Sequence, residues 1–269
     1  MQRKILMSAK EYHEAEGIGS TLVKAVAKQT VIHALEAPFE GSKYSETGAG
    51  LHTKILDPET FDNDFLVAPK VDRRTARGKE VYNEFMDKAK GRTVLDDEQM
   101  EAIKSMSLSV LNHPTAQYML KGGTAEYSYF VECPETGLKL KCRPDYENKN
   151  TLIDIKSTRD ASPKGFARQS ANLLYYVQAA YYLDVYNLAN HTNIKEFYFI
   201  AVENTAPWGC CVHKVKEYDI EYGREIYRKA LLDIKKYREE SKCKDFKRDN
   251  FIYGTGILEL ELPPWAYSA

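Results

Sequence analysis

Residues 151–157, TLIDIKS, make two demands on any fold that contains them. Leu152, Ile153 and Ile155 are too densely apolar for a half-exposed strand, so the segment predicts a buried central strand. Asp154 and Lys156 are two apart and leave the same face of that strand, with Ile155 facing the opposite layer. Charges on a buried strand are unfavourable unless paired or metal-bound. Upstream, LKLKCRPD reads as the preceding strand, closed by Asp145. A four-residue ENKN turn then lays Asp145 across from Asp154, with Lys139, Lys141 and Arg143 on the same face as Asp145.

Two carboxylates converging at the end of a hairpin suit a hard divalent cation such as magnesium, which prefers oxygen ligands. A lysine beside them would offset charge developing on a phosphate or hold an attacking water. Acids and lysines spaced D-x(8)-D-x-K also occur by chance on solvated hairpins. The apolar residues interleaved with these charges are what separate this stretch from surface decoration.

Before residue 120 the chain reads as helical. Ser20 predicts the cap of one helix running TLVKAVAKQTVIHALEA, and Ser45 the cap of another through ETGAGLHTKIL, ended by Asp57-Pro58. TARGKEVYNEFMDKAK is a third helix. DDEQMEAIKSMSLSVL is a fourth, capped by Asp96 or Asp97 and broken at His113-Pro114. The period then changes to two. EYSYFVE, LKLKCRPD and TLIDIKS predict an antiparallel three-stranded meander. Ser162, with Pro163 at the first helical position, opens a helix reaching Tyr186. EFYFIAVE predicts a strand covered on both faces, CCVHKVKEY another strand, and Asp219 the cap of a long last helix. The order implies an α/β fold, a mixed sheet flanked by helices with a helical N-terminal elaboration. With no repeats or low-complexity linkers, the 269 residues read as one elaborated domain: residues 1–120 as the elaboration and 121–269 as the core.

Composition excludes little. A formal charge of −1 advertises no polyanion partner, although a basic groove can coexist with an acidic exterior. Nineteen tyrosines suit half-buried faces and stacking surfaces. Five cysteines, odd in number and without zinc-knuckle spacing, read as reduced thiols, mostly buried. The polar N-terminus has no signal-peptide pattern, and no apolar run approaches the roughly 20 residues that span a bilayer, so a cytoplasmic protein without a membrane partner is expected.

RPD, then IDIKST, then YYVQAAYYLD together resemble the PD-(D/E)XK nuclease superfamily. More narrowly they resemble the RecE type, the exonuclease domain of exodeoxyribonuclease VIII, related to RecB-like nucleases and lambda exonuclease. YHEAEGIGSTLVKAV, GAGLHTKILDPETF, AEYSYF, ETGLKLKCRPD, FYFIAVENTAPW and LPPWA are similar to family blocks in the same order. The resemblance implies that Asp145 and Asp154 bind metal, that Ile155 offers its carbonyl to it, and that Lys156 is the catalytic lysine. It implies that His52 reaches the metal site from an N-terminal helix. Gln178 and Tyr182 match the Q-x-x-x-Y motif that positions DNA and the lysine, and Glu126 matches a glutamate on the strand before the hairpin.

The implied activity is ATP-independent degradation of one strand of linear duplex DNA, 5′ to 3′, leaving a 3′ overhang. Two Mg2+ ions, with Mn2+ able to substitute, would serve it. The implied partners are DNA ends and a RecT-like single-strand annealing protein, and the implied assembly is a homo-oligomeric ring, trimer or tetramer. The chain has no G-x(4)-GK-[ST] motif, consistent with ATP independence. Two rivals stay open: an endonuclease or single-strand nuclease of the same fold, and an inactive DNA-binding scaffold. An iron–sulfur variant is rejected because only Cys243 lies near the C-terminus.

Outside the resemblance, a histidine such as His52 is more often structural, with Gly48 and Gly50 beside it allowing close helix packing. Gln178 and Tyr182 share a helix face, where a tyrosine stripe is usually core. His113, His191 and His213 carry no expected chemistry. Lys70, Arg73, Arg74, Arg77 and Lys79 form the candidate for phosphate contact.

Overall fold

The computed structural model describes residues 3–36, 43–148, 150–254, 256–257 and 259–263, the side chains of 43–45 excepted. The end of the LPPWA block and one residue of the ENKN turn lie outside these residues. Strand β1 (Arg3–Ile5) is followed by α1 (Ala9–Glu14), which opens on a Ser8–Glu11 capping box. The next stretch, expected as one helix, is two: α2 (Ser20–Lys28) and α3 (Val31–Glu36). Gln29 between them is extended, and the Thr30 hydroxyl accepts from His33 N, recapping the chain. Gly19, not Ser20, is the N-cap of α2.

Helix α4 (Lys43–Leu56) starts two residues before the expected Ser45 cap. It leads through α5 (Phe61–Asp64) to β2 (Phe65–Val67), α6 (Ala76–Lys88, capped by Thr75) and β3 (Thr93–Leu95). Strands β2 and β3 form a separate two-stranded parallel sheet. Helix α7 (Asp97–Asn112) opens on an Asp96–Gln99 capping box. His113 ends it and caps α8 (Pro114–Met119), accepting from Ala116 N.

The expected meander is divided between two sheets. Strands β4 (Thr124–Ala125), β7 (Tyr146–Asn148), β8 (Thr151–Thr158), β9 (Glu196–Glu203) and β10 (Cys210–Lys214) form the main sheet, ordered β10-β9-β8-β7-β4. Only β8 and β9 run parallel in it, so the sheet is mixed. Strands β5 (Ser128–Glu132) and β6 (Lys139–Cys142) pair with β1 in a second, antiparallel sheet. The chain crosses between the sheets twice, at residues 126–127 and 143–145. Glu126, in the left-handed region at φ 52°, donates its N–H to Asp145 O at 3.0 Å and ties the crossings together. Pro144 cannot donate to a ladder, which suits a residue placed where one sheet is left for another.

Ser162 caps α9 (Pro163–Leu173) as expected, but the helix breaks at left-handed Leu174, φ 53°, before α10 (Tyr175–Asn190). The last helix, α11 (Glu217–Glu240), begins two residues before Asp219, which sits in its first turn. Gly223 lets α11 close on α10: a Cβ there would lie 2.6 Å from Tyr176 O. Both faces of the main sheet are covered. Leu152, Phe197, Phe199 and Ala201 join the core shared with α2, α10 and α11, while Ile153, Ile155, Ile200 and Val202 join Leu51, Met106 and Val110 of α4 and α7. This is the α/β architecture expected. Among the described residues no helix is long and apolar enough to cross a membrane. All five cysteines are free, and only Cys133 and Cys142 are fully buried.

Candidate active site

The site forms where β8 outruns its neighbour. Strand β7 pairs with β8 only from Thr151 to Ile153, whereas β9 follows it to Thr158. Past Ile153, the main-chain groups of β8 that face β7 therefore have no ladder partner, and buried backbone groups must find one elsewhere. Ile155 N–H donates to Asp145 Oδ2 at 2.6 Å, and Ile155 O lies 2.9 Å from His52 Nε2. The other ring nitrogen, His52 Nδ1, is 3.2 Å from Asp145 Oδ1. Asp145, His52 and the Ile155 peptide thus close a loop of contacts in place of a missing strand. Gly50, two residues before His52 on α4, faces α7: a Cβ there would meet Ile103 Cδ1 at 2.5 Å, while one at Gly48 would meet nothing within 4 Å.

Asp154 leaves β8 toward α10. It is 2% exposed. Gln178 Nε2 donates to its Oδ1 at 2.6 Å. Its Oδ2 is buried and faces the Lys156 ammonium in a close ion pair. Lys156 Nζ also lies 5.2 Å from the Tyr175 ring centroid, a cation–π distance. The Tyr175 hydroxyl accepts from Gln169 Nε2 at 3.4 Å, and Gln169 Oε1 accepts from buried Thr158 at 2.7 Å.

The charges bias one another. Burial and the Asp145 charge push the Asp154 carboxyl up. Burial acts against the ionised form of Asp145 too, but His52 outweighs it and holds Asp145 low. For His52, burial opposes the proton and the Asp145 carboxylate overrides it, leaving the ring raised to about 9. Lys156 is likewise raised, its desolvation offset by Asp154 and Asp145. Two acids whose environments push them apart are a frequent mark of a working site.

Tyr182, one turn beyond Gln178, does not reach this cluster by any hydrogen bond. It is buried in the core, its ring edge-on to Phe197. Glu126 is paired through Oε2 with Arg143 Nη2 at 3.1 Å. The expected basic face of Asp145 is absent. Lys141 Nζ donates to the carbonyls of Tyr12, His13 and Ala15 at the end of α1, and Lys139 pairs with Glu16. In both sheets the alternation holds, but the crossing at 143–145 turns Asp145 away from its former neighbours. Of the basic run, Lys70 pairs with Asp97 and Arg74 with Asp72, and Arg73 stacks on Tyr82, all exposed. His213 stacks on Phe166 and bonds Ala161 O, a packing role, and exposed His191 is the left-handed end of α10.

The residues missed by sequence reasoning are Tyr175 and Lys24. Lys24, on α2, donates to Gln178 Oε1 at 3.3 Å. Burial, and then the Lys156 charge, lowers it to about 8. Nothing in GSTLVKAV marks this lysine; its place comes from α2 packing on α10 and α11.

Among the described residues no group of three or more His, Cys, Asp or Glu side chains could hold a metal ion by itself. The donors present are two carboxylates and a main-chain carbonyl, all oxygen, with buried Asp154 Oδ2 contacted by the Lys156 ammonium. That set suits a small hard cation that keeps part of its water shell, as magnesium does.

A mixed sheet between helical layers, with D…D-x-K at the uncovered edge of its central strand, defines the PD-(D/E)XK nuclease superfamily, and this chain has that fold. It belongs to the family described as a PDDEXK-like domain of unknown function, whose model matches residues 24–245. Its fold is similar to the crystal structure of a candidate exonuclease from Eubacterium rectale, at 12% identity and a TM-score of 0.62, over 98% of this chain and 99% of that one. A crystal structure of SSO0001 matches at 15% identity, over 77% and 95% of the two chains, with a TM-score of 0.29 that carries no argument. No curated protein matches.

Proposed function

We propose that the chain is a magnesium-dependent deoxyribonuclease that degrades one strand of linear duplex DNA, 5′ to 3′ and without ATP. The observation that carries the nuclease reading is the meeting of Asp145, buried Asp154, the Ile155 carbonyl and His52 beside the Lys156 ammonium. Asp145, Asp154 and the Ile155 carbonyl would hold the cation, with His52 at its margin. When bound, such a cation polarises the phosphodiester and lowers the pKa of a water.

The chain's own residues do the rest. Lys156 orients the attacking water and offsets charge on the phosphorane. Gln178 keeps Asp154 turned toward Lys156, and the Tyr175 face keeps the ammonium in place. Protonated His52 holds Asp145 and the Ile155 peptide in register before substrate arrives. No covalent intermediate with the protein is needed.

Polarity, a 3′ overhang, DNA ends as substrate, a RecT-like annealing partner, a trimeric or tetrameric ring, two ions rather than one, and a cytoplasmic location rest on the order of the sequence blocks. Linear duplexes labelled at either the 5′ or the 3′ end, digested in Mg2+ or Mn2+ with gel filtration of the same sample, test them together. Early release of 5′ label from linear but not covalently closed DNA is expected. Early release of only 3′ label would overturn the polarity. Equal slow loss with wild type and Lys156→Ala would overturn the enzyme.

A further inference from the structure

Helix α2 brings Lys24 to the opposite side of Gln178 from Asp154. Lys24 Nζ donates to Gln178 Oε1 at 3.3 Å, and Gln178 Nε2 donates to Asp154 Oδ1 at 2.6 Å. An ammonium can only donate, and a carboxylate can only accept. The amide between them therefore fits in one orientation. Turned over, its NH2 would face the ammonium and its carbonyl the carboxylate, so two attractive contacts would become two repulsive ones. Gln178 is buried, leaving little water to repair the flipped state.

We infer that Lys24 is a positioning residue: it selects the amide orientation of Gln178, which holds Asp154 by its Oδ1 and leaves Oδ2 turned to Lys156. The surrounding contacts keep the relay in register. The Tyr181 hydroxyl donates to Ile18 O, so α10 anchors the chain just before α2. The Tyr175 ring lies 5.6 Å from Lys24 Nζ and 5.2 Å from Lys156 Nζ, one aromatic ring within cation–π distance of both cations. Asp154 is the only acid in this relay, so its two oxygens are divided between two lysines, one acting directly and one through an amide.

The kinetic consequence rests on the proposed nuclease reading, while the relay itself does not, and the test separates them. In 15N-labelled protein in EDTA, the Gln178 side-chain amide, assigned by its loss in Gln178→Met, exchanges slowly with solvent. Lys24→Met is expected to speed that exchange about tenfold or more, the loss of one charged hydrogen bond. Lys24→Arg restores a slow amide. Unchanged exchange in Lys24→Met overturns the inference.

On linear duplex, Lys24→Met is expected to lower kcat and raise the magnesium concentration needed for half-maximal rate, with KM for DNA unchanged. Lys24→Met combined with Gln178→Met is expected to lose no more than Gln178→Met alone. A fully additive loss would mean that Lys24 acts without Gln178 and would overturn the relay. If wild type cleaves no DNA, the nuclease reading fails, and the amide measurement still decides the role of Lys24.

Discussion

Asp145 and Ile155 are joined side chain to main chain: Ile155 N–H donates to Asp145 Oδ2 at 2.6 Å where a strand partner would otherwise sit. The proposed metal ligand is thus also a piece of sheet edge. Asp145→Ala should leave the Ile155 amide buried without an acceptor and His52 without its counter-charge. A loss of about 2 kcal/mol is expected, by urea denaturation in EDTA. Asp145→Asn keeps an acceptor for the amide and should lose less than half of that, though it should be as inactive as the alanine variant.

Lys156→Ala should lower the rate of duplex degradation by roughly 10²–10³-fold, the scale of losing one preorganised charge at a reacting phosphate. DNA retention in a filter assay should fall far less. A rate within threefold of wild type would remove Lys156 from the chemistry.

His52 makes the metal-free fold sensitive to alkali. Burial works against its proton, but Asp145 holds the ring at about 9, above its ordinary 6.5. A folded-state pKa above the unfolded one stabilises fully below pH 6.5, and the gain is lost as pH rises through about 9. In EDTA, the stability gap between wild type and His52→Gln should narrow across that window. A gap independent of pH from 6 to 9.5 would contradict the pairing.

Lys24 has the opposite sign. Its folded-state value, lowered by burial and by Lys156 to about 8, lies below the ordinary 10.5. The charged form is therefore a cost at neutral pH, relieved as pH climbs from 8 to 10.5. Lys24→Met should be more thermostable than wild type at pH 7, by a margin that shrinks toward pH 10.5, while being a poorer enzyme. Such a trade is common at working sites.

How far the sequence disclosed this site follows from what determines each part. Asp145, Asp154 and Lys156 were readable because period-two alternation and one short turn place them. Tyr146 pairing with Ile153 extends that register to Asp145 opposite Asp154. The crossing of the chain between two sheets was not readable. RPD and EY carry no signal that β4 and β5, or β6 and β7, belong to different sheets, and this is why the lysines of β6 went to α1. The helix break at Leu174 was equally silent, because a non-glycine in the left-handed region is imposed by packing rather than written in ANLLYY. Lys24 shows the limit most plainly. Its role depends on the docking of α2, a tertiary fact with no local pattern.

His52 and Lys24 come from the first fifth of the chain, and the strand and helix that they serve are made more than ninety residues later. A ribosome therefore releases the clasp long before the groups that it closes on. Whatever reaction the finished pocket performs, a nascent or truncated chain cannot perform it.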